Sequence, residues 1–485
     1  MRPGILRRIV QGGGLSLIKL IAGLVKIKVL ASLLGVEGIG LLALGLQFQT
    51  TAVGLVSMSL AVGVINLGRP LWVADDARGA GSVLGTALSL VAVNSAVFVT
   101  ALAVYLYLVP GGLMPSLAAQ GAWLVWPLAL SAIVAAFASV LWESLAFLVD
   151  RFDVYVRSNA AAAIMDAALF VGGAWSFGLK GALCASLLSS LGLFVAFAVM
   201  SAQAPATRGV LGRASVTWSK VRPLLSYSVL MLTTTATGLV CIFLARARLT
   251  ASAGEAANGY LQVVTALASY LQPFVMTGVW GHLHPAAAAS GDTPDARREL
   301  HGTLVASMRL AAAGCTAVVV GAPILIRLVY TTAFMRSARL VPVYFIGELC
   351  FLFVSIVGAY LLAVGRKRAY FLGYSIYHAG LLAGVMLFVQ PLGAWAYVLS
   401  HVSAAALVGL LALVHSVRHG LLDAATLTSV AACILAAAAC CLLDYAAIGI
   451  LLGGVTIRAS WILAATIITL VARPYLPQLI PAWRS

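Results

Sequence analysis

Apolar runs follow one another along the whole of this chain, separated by short basic loops, and this pattern constrains the fold more than any other feature. A helix needs about 20 apolar residues to cross a bilayer. Runs of that length recur from near residue 12 to near residue 472. Of the 485 residues, 62% are hydrophobic and 9% charged, where a soluble domain carries about 25% charged residues. No water-facing surface absorbs that excess, and disorder requires the opposite composition. The expected fold class is an all-α polytopic membrane protein with about 14 transmembrane helices.

The runs place spans at 12–34, 40–65, 83–108, 122–148, 158–178, 181–202, 224–245, 259–283, 303–326, 341–364, 370–389, 393–415, 424–443 and 447–472. The remainder is too finely divided to hold a soluble domain. Arg2, Arg7 and Arg8 precede the first run as they would in a signal peptide. No small-residue cleavage site follows, however, and Lys19, Lys26 and Lys28 interrupt the run, so it reads as an uncleaved first span. The seven cysteines all sit in apolar stretches without metal-ligand spacing and read as small buried hydrophobes. The glycines follow no phosphate-binding spacing, and there is no P-loop, no Gly-x-Ser-x-Gly and no His-Glu-x-x-His. An enzyme is therefore not expected, nor is a cofactor, a metal or direct use of ATP.

The net charge of +16 reads as a topology signal. With an even number of spans, nineteen of the thirty basic residues fall on the side that holds both termini, six on the other side and five within spans. The positive-inside rule makes the richer side cytoplasmic. The expected location is a bacterial inner membrane, with both termini cytoplasmic and the lipid bilayer as partner. The basic residues are scattered over short loops with no basic domain, so nucleic acid is not an expected partner.

The chain also appears twice. Residues 26–41 and 246–260 each carry a cation-x-cation pair (Lys26 and Lys28; Arg246 and Arg248), a small-residue turn, a glutamate (Glu37; Glu255) and a glycine opening the next span. Two lobes of six helices are expected, 1–202 and 224–415, joined by a cytoplasmic linker at 203–223 and followed by two additional helices over 424–472. Parallel repeats of this kind place a substrate site between lobes that rock.

Several of these segments are similar to those of Wzx-type O-antigen and enterobacterial-common-antigen flippases, of the multidrug/oligosaccharidyl-lipid/polysaccharide exporter superfamily. They are Gly12-Gly13-Gly14, Lys26 to Ala31 and Leu34 to Gly40 in the first span and turn, and Leu225 to Met231 at the start of span 7. Tyr270 to Phe274, His284-Pro285, Phe345 to Glu348 and Gly358 to Ala363 continue the likeness. It covers roughly residues 5–415. The last two helices depart from the shorter, twelve-span members. The resemblance implies a substrate in which an oligosaccharide is carried on undecaprenyl pyrophosphate. It implies transfer from the cytoplasmic to the periplasmic leaflet, with polymerase and chain-length proteins of the same pathway as possible partners.

Moving such a lipid requires a polar path for its head and cations to offset the pyrophosphate, while the tail stays in lipid. An ionisable residue at membrane depth is a functional candidate by default. Lys19 and Lys26, seven residues apart, share one helix face, and Lys28 is turned about 200° from Lys26. Arg246 and Arg248 hold the matching places in span 7, where the planar fork of arginine suits phosphate. Lys26, Lys28, Arg246 and Arg248 could instead snorkel to headgroups. Gln47, Gln262, Gln272 and Tyr270 are candidate sugar contacts on spans 2 and 8, and structural bonding between helices is their alternative role. Glu143, Asp166 and Glu348 are candidates for ion coupling or partners for a cation. Asp444 is expected in a turn between spans 13 and 14. Arg309 and Arg458 are weaker candidates for substrate contact.

Three rivals remain at this point. A peptidoglycan-precursor (lipid II) flippase has the same fold class and also fourteen spans. A drug or cation exporter on the same fold would be expected to carry an acidic cavity. A membrane polymerase or glycosyltransferase would need a large loop that the chain lacks.

Overall fold

The computed structural model describes residues 3–109, 112 and 114–450. Most of the expected fourteenth span, with Arg458, lies outside the described residues. Helix dominates, and no strand occurs among the described residues. This is the outcome that hydrocarbon imposes, because a helix satisfies its backbone donors and acceptors within one segment. Among the described residues, ten helices are long and apolar enough to cross a membrane.

The first helix, α1 (Pro3–Ser57), contains expected spans 1 and most of 2. They are separated at Gly35, where φ is 65°. Met58 and Ser59 then take left-handed backbone angles (φ 48° and 54°), and the chain continues as α2 (Leu60–Val73). Span 2 is therefore broken where the sequence reads as continuous. α3 (Ala77–Leu108) follows. Span 4 is a composite of α4 (Pro115–Gly121), α5 (Val125–Phe137), a π-helical segment Ala138–Glu143 and α6 (Ser144–Leu148). Expected spans 5 and 6 are the two limbs of α7 (Phe152–Ala202), parted at Phe177 and Gly178.

The segment expected as a linker holds a short helix, α8 (Pro205–Leu211), and α9 (Trp218–Ala253) begins inside it. The stretch between them lies on α3. A Cβ on Gly81 or Gly85 would come within 2.7 Å of the backbone of Arg213 or Ser215. Two glycines four residues apart thus let a loop backbone lie directly against a helix, the use that membrane proteins make of small residues. The backbone N–H of Thr217 donates to Thr86 Oγ1 at 3.0 Å and fixes that docking.

The chain continues as α10 (Glu255–Gly278), a second π-helical segment Val279–Leu283 and α11 (His284–Ser290). Then come α12 (Pro294–Val329), a 3-10 segment Thr332–Arg339, α13 (Val341–Ala363), α14 (Lys367–Leu392), α15 (Ala394–Arg418) and α16 (Ala424–Ile450). Asp444 lies inside α16 and is 7% exposed, not in a turn. The alanine-rich sequence around it carries no proline, and its first glycine is Gly449, so nothing there stops a helix.

Chain contacts divide the protein into two compact units, Met1–Asn258 and Gly259–Ser485. In the first unit α1 packs along α7, α5 and α9, whereas α2 packs on α3, α6 and α9. Leu60, Val83, Leu84, Val140, Leu145 and Phe197 form part of its core. In the second unit α13 is the central rod, surrounded by α12, α14, α15 and α16. Its apolar window is 78% buried, while that of α14 is 28% buried.

Candidate functional site

The first unit carries a polar ladder between α1 and α7. The Lys19 ammonium donates to Asn159 Oδ1 at 2.9 Å, and the Lys26 ammonium donates to Asp166 Oδ2 at 2.6 Å. Each rung joins residues 140 apart in sequence. Residues 19 to 26 and 159 to 166 both advance by seven, so two turns of α1 match two turns of α7 and the helices run in parallel register. Spans 1 and 5 leave the same membrane face, and they must run parallel if the intervening spans cross completely.

Asp166 is held on both oxygens. Ser189, on the second limb of α7, donates to its Oδ1 at 2.5 Å. The Lys26 ammonium also sits 4.6 Å from the centre of the Phe170 ring, within the range of a favourable cation–π contact. The side chains of Lys26 and Asp166 are 22% and 29% exposed. The contact is dry enough for the bond to matter. A hydrogen bond to a charged group contributes about 1.5–3 kcal/mol. Glu143, at the end of the first π-helical segment, is near enough to bear electrostatically on Lys19. π-Helical segments often occur at functional positions.

The other candidates of the first unit fall elsewhere. Lys28 is half-buried, and helix geometry turns it away from the ladder. Arg246 is buried at 5% exposure near the end of α9. Its Nη1 lies 3.4 Å from Asn258 Oδ1, and the Asn258 amide donates to the Gly40 carbonyl at 2.7 Å. Arg246 thus joins the end of α9 to the start of α10 and the second limb of α1. Arg248 and Gln47 are half-buried. The neighbouring Gln49 donates to Ser131 Oγ at 2.6 Å, and Ser131 in turn bonds the Ser186 carbonyl and Ser190. That set ties α1, α5 and α7 together.

In the second unit Gln262, Tyr270 and Gln272 are half-buried along α10. Glu348 on α13 lies in a dry network. Its Oε2 is 3.8 Å from His401 Nε2, and the two side chains are 7% and 1% exposed. His401 Nδ1 shares a 2.7 Å hydrogen bond with the Tyr377 hydroxyl, and its ring stacks on Tyr344 with centroids 4.2 Å apart. Sequence reasoning missed His401 and Tyr377. A histidine in the middle of an apolar run was the available signal, since intramembrane ionisable residues are rare and purposeful. Among the described residues no group of three or more His, Cys, Asp or Glu could hold a metal ion.

One end of the second unit is closed by charge. Asp292, between α11 and α12, accepts from Arg297 at 2.9 Å, Arg366 at 2.7 Å and the Tyr360 hydroxyl at 2.9 Å. Arg297 also donates to the Gly420 carbonyl at 3.1 Å. The Arg297 hydrogen bond, helped by Tyr360 and Arg366, holds the Asp292 carboxyl below the usual carboxylate range against the opposing effect of burial. His301 on α12 and Asp423 just before α16 form a second contact at 3.4 Å.

No family model matches the sequence, and no curated protein matches it. Solved structures do. A multidrug resistance MATE family transporter of the MOP superfamily, in an inward-facing conformation, matches with TM-score 0.63 and 15% identity over 82% of this chain and 94% of that one. The lipid II flippase MurJ, in an inward closed conformation, matches with TM-score 0.62 and 12% identity over 98% and 100%. A MOP superfamily transporter from Pyrococcus furiosus, described as having a binding pocket of reversed polarity, matches with TM-score 0.56 and 14% identity over 84% and 95%. The chain shares the fold of these multi-pass transporters.

Proposed function

We propose that this chain is a flippase for an oligosaccharide linked to undecaprenyl pyrophosphate, moving it from the cytoplasmic to the periplasmic leaflet by alternating access. The O-antigen, common-antigen and exopolysaccharide repeat units are the substrate class. The excess of basic residues on one set of loops supports an inner-membrane orientation with both termini cytoplasmic.

The observation that carries this reading is the ladder on the first span. Two lysines at membrane depth share one face, and the better buried of them, Lys26, holds a carboxylate in an exchangeable ion pair. A pyrophosphate reaching Lys26 replaces one anion by another, so the lysine is never left bare. Asp166, once displaced, is the group to take up a proton or a cation, with Glu143 and Glu348 as further coupling candidates. Arg246 and Arg248 add positive charge at the corresponding place on α9. Lys28 and the amides and ring of Gln47, Gln262, Gln272 and Tyr270 supply further contacts to phosphate and sugar. A cavity that attracts drug cations would instead present free carboxylates, whereas Asp166 is neutralised here.

A lipid II flippase is the second reading, favoured by the match of MurJ across nearly the whole chain. One experiment separates the two. In a strain deleted for this chain, the wild type restores surface polymer, and Lys26→Ala with Arg246→Ala lowers that polymer about 10- to 100-fold at equal protein level, as expected for the loss of one charged hydrogen bond. Unchanged export by the double variant removes the role given to these cations. Rescue of a strain lacking its lipid II flippase, without restoration of polymer, replaces the first reading by the second.

A further inference from the structure

We propose that the crevice between α13, α14 and α15 is a binding site for an anionic phospholipid, separate from the ladder of the first unit. One acyl chain lies in the crevice and the phosphate rests on the basic ends of α14 and α15. The crevice has a volume of about 210 Å³, and apolar groups such as Val357, Leu361 and Val408 dominate its walls. It opens sideways, because Leu372 and Leu411 line it and are 59% and 46% exposed. On a transmembrane helix an opening of that kind faces the acyl chains of the bilayer.

The polar end of the crevice distinguishes it from an ordinary groove between helices. His415 lines it, and its Nε2 is buried with no hydrogen-bond partner among the described residues. A buried donor or acceptor left unmade costs about 1–3 kcal/mol, so a polar group from a ligand is expected to complete it. Three exposed cations stand around this end, Lys367, Arg368 and Arg418. Helix spacing makes Lys367 a surface neighbour of Tyr370, Arg368 a neighbour of Leu372, and Arg418 a neighbour of His415. All three partners line the crevice. Arg366, next in the chain, is already held by Asp292, which leaves the other three for a phosphate. An apolar slot ending in three cations and an unsatisfied imidazole nitrogen matches one acyl chain joined to one anionic headgroup.

The site also has room to be tested. A Cβ on Gly373 would meet only Val408 Cγ1, at 3.7 Å, so Gly373→Leu fills the slot without pressing on backbone. The full chain is delipidated and placed in nanodiscs of phosphatidylcholine with or without phosphatidylglycerol, and bound lipid is counted by native mass spectrometry. The wild type retains phosphatidylglycerol over phosphatidylcholine. Gly373→Leu loses that retention, and Gly373→Ala, the control for the backbone change, keeps it. Substituting glutamine for Lys367, Arg368 and Arg418 weakens retention about fivefold for each charge removed. Thermal midpoints in phosphatidylcholine alone confirm that the variants fold. Equal retention of both lipids, or retention unaffected by Gly373→Leu, overturns the proposal. So does recovery of a polyprenyl phosphate in place of the phospholipid from protein purified directly from membranes, which makes the crevice a seat for the tail of the transported lipid.

Discussion

The two units place their ionisable groups in opposite surroundings. In the first, Lys26 and Asp166 are a fifth to a third exposed and form a direct, short ion pair. In the second, Glu348 and His401 are almost wholly enclosed and stand 3.8 Å apart, with the histidine occupied by Tyr377 and Tyr344. A half-wet pair can exchange one partner for another because water replaces what is lost. A dry pair cannot, because a charge stripped of its partner there costs several kcal/mol. The proposed contact with a charged substrate accordingly suits the pair of the first unit, while the pair of the second holds its own packing.

The two expected repeats, whose boundary differs from that between the compact units, share a kind of turn. Gly35 and Gly254 follow the first spans of their repeats, with φ of 65° and 85°. Gly178 and Gly393 separate expected spans 5 from 6 and 11 from 12, with φ of 59° and 54° and ψ of −141° and −130°. These pairs are 219 and 215 residues apart. Turns at the positions that the expected duplication would match use the same unusual backbone, while the polar residues around them differ.

The largest effect expected in breaking the contrast is at Asp166. Asp166→Asn lowers stability by about 1.5–3 kcal/mol, read as a fall in the thermal midpoint, and Lys26→Met added to it restores part of the loss. A midpoint unmoved by Asp166→Asn means that the pair is solvated like a surface bridge. The next effect is at the dry pair. Glu348→Gln and His401→Gln each destabilise, and the double variant departs from additivity by about 0.5–3 kcal/mol. Strict additivity shows that the two side chains do not sense each other. The smallest effect tests the shared frame. A Cβ on Gly35 or Gly254 meets nothing within 4 Å, so alanine at either position costs only the strain of a positive-φ extended backbone that glycine alone adopts freely, about 1–3 kcal/mol. Clearly unequal losses separate the two turns.

Much of the fold was legible because hydrocarbon tolerates so little. The apolar runs placed the breaks near Gly35 and Gly178 within a few residues, since glycine is the residue that pays least for those angles. The break at Met58–Ser59 was not legible, because neither residue signals a turn and tertiary packing imposes it. Asp444 was misplaced by giving a lone acid more weight than the uninterrupted alanine-rich helix around it. At the site, Lys26 and Asp166 could each be singled out as charges in apolar runs. Their pairing could not, because it depends on the packing of α1 against α7 across 140 residues of intervening chain. His401 is legible in the sequence only as an imidazole within an apolar run, and its partners are set by the packing of α13, α14 and α15.

The left-handed step at Met58 and Ser59 gives the second span two allegiances. The part before the step lies against Leu128, Leu183 and Leu239 of α5, α7 and α9, and the part after it, α2, packs on α3, α6 and α9. A rod so divided can swivel at the step, so that one part follows one set of neighbours while the other stays put. The lysine-bearing helix meets the part before the step only through the turn at Gly35, and a tilt of it need not be transmitted to the end of α2.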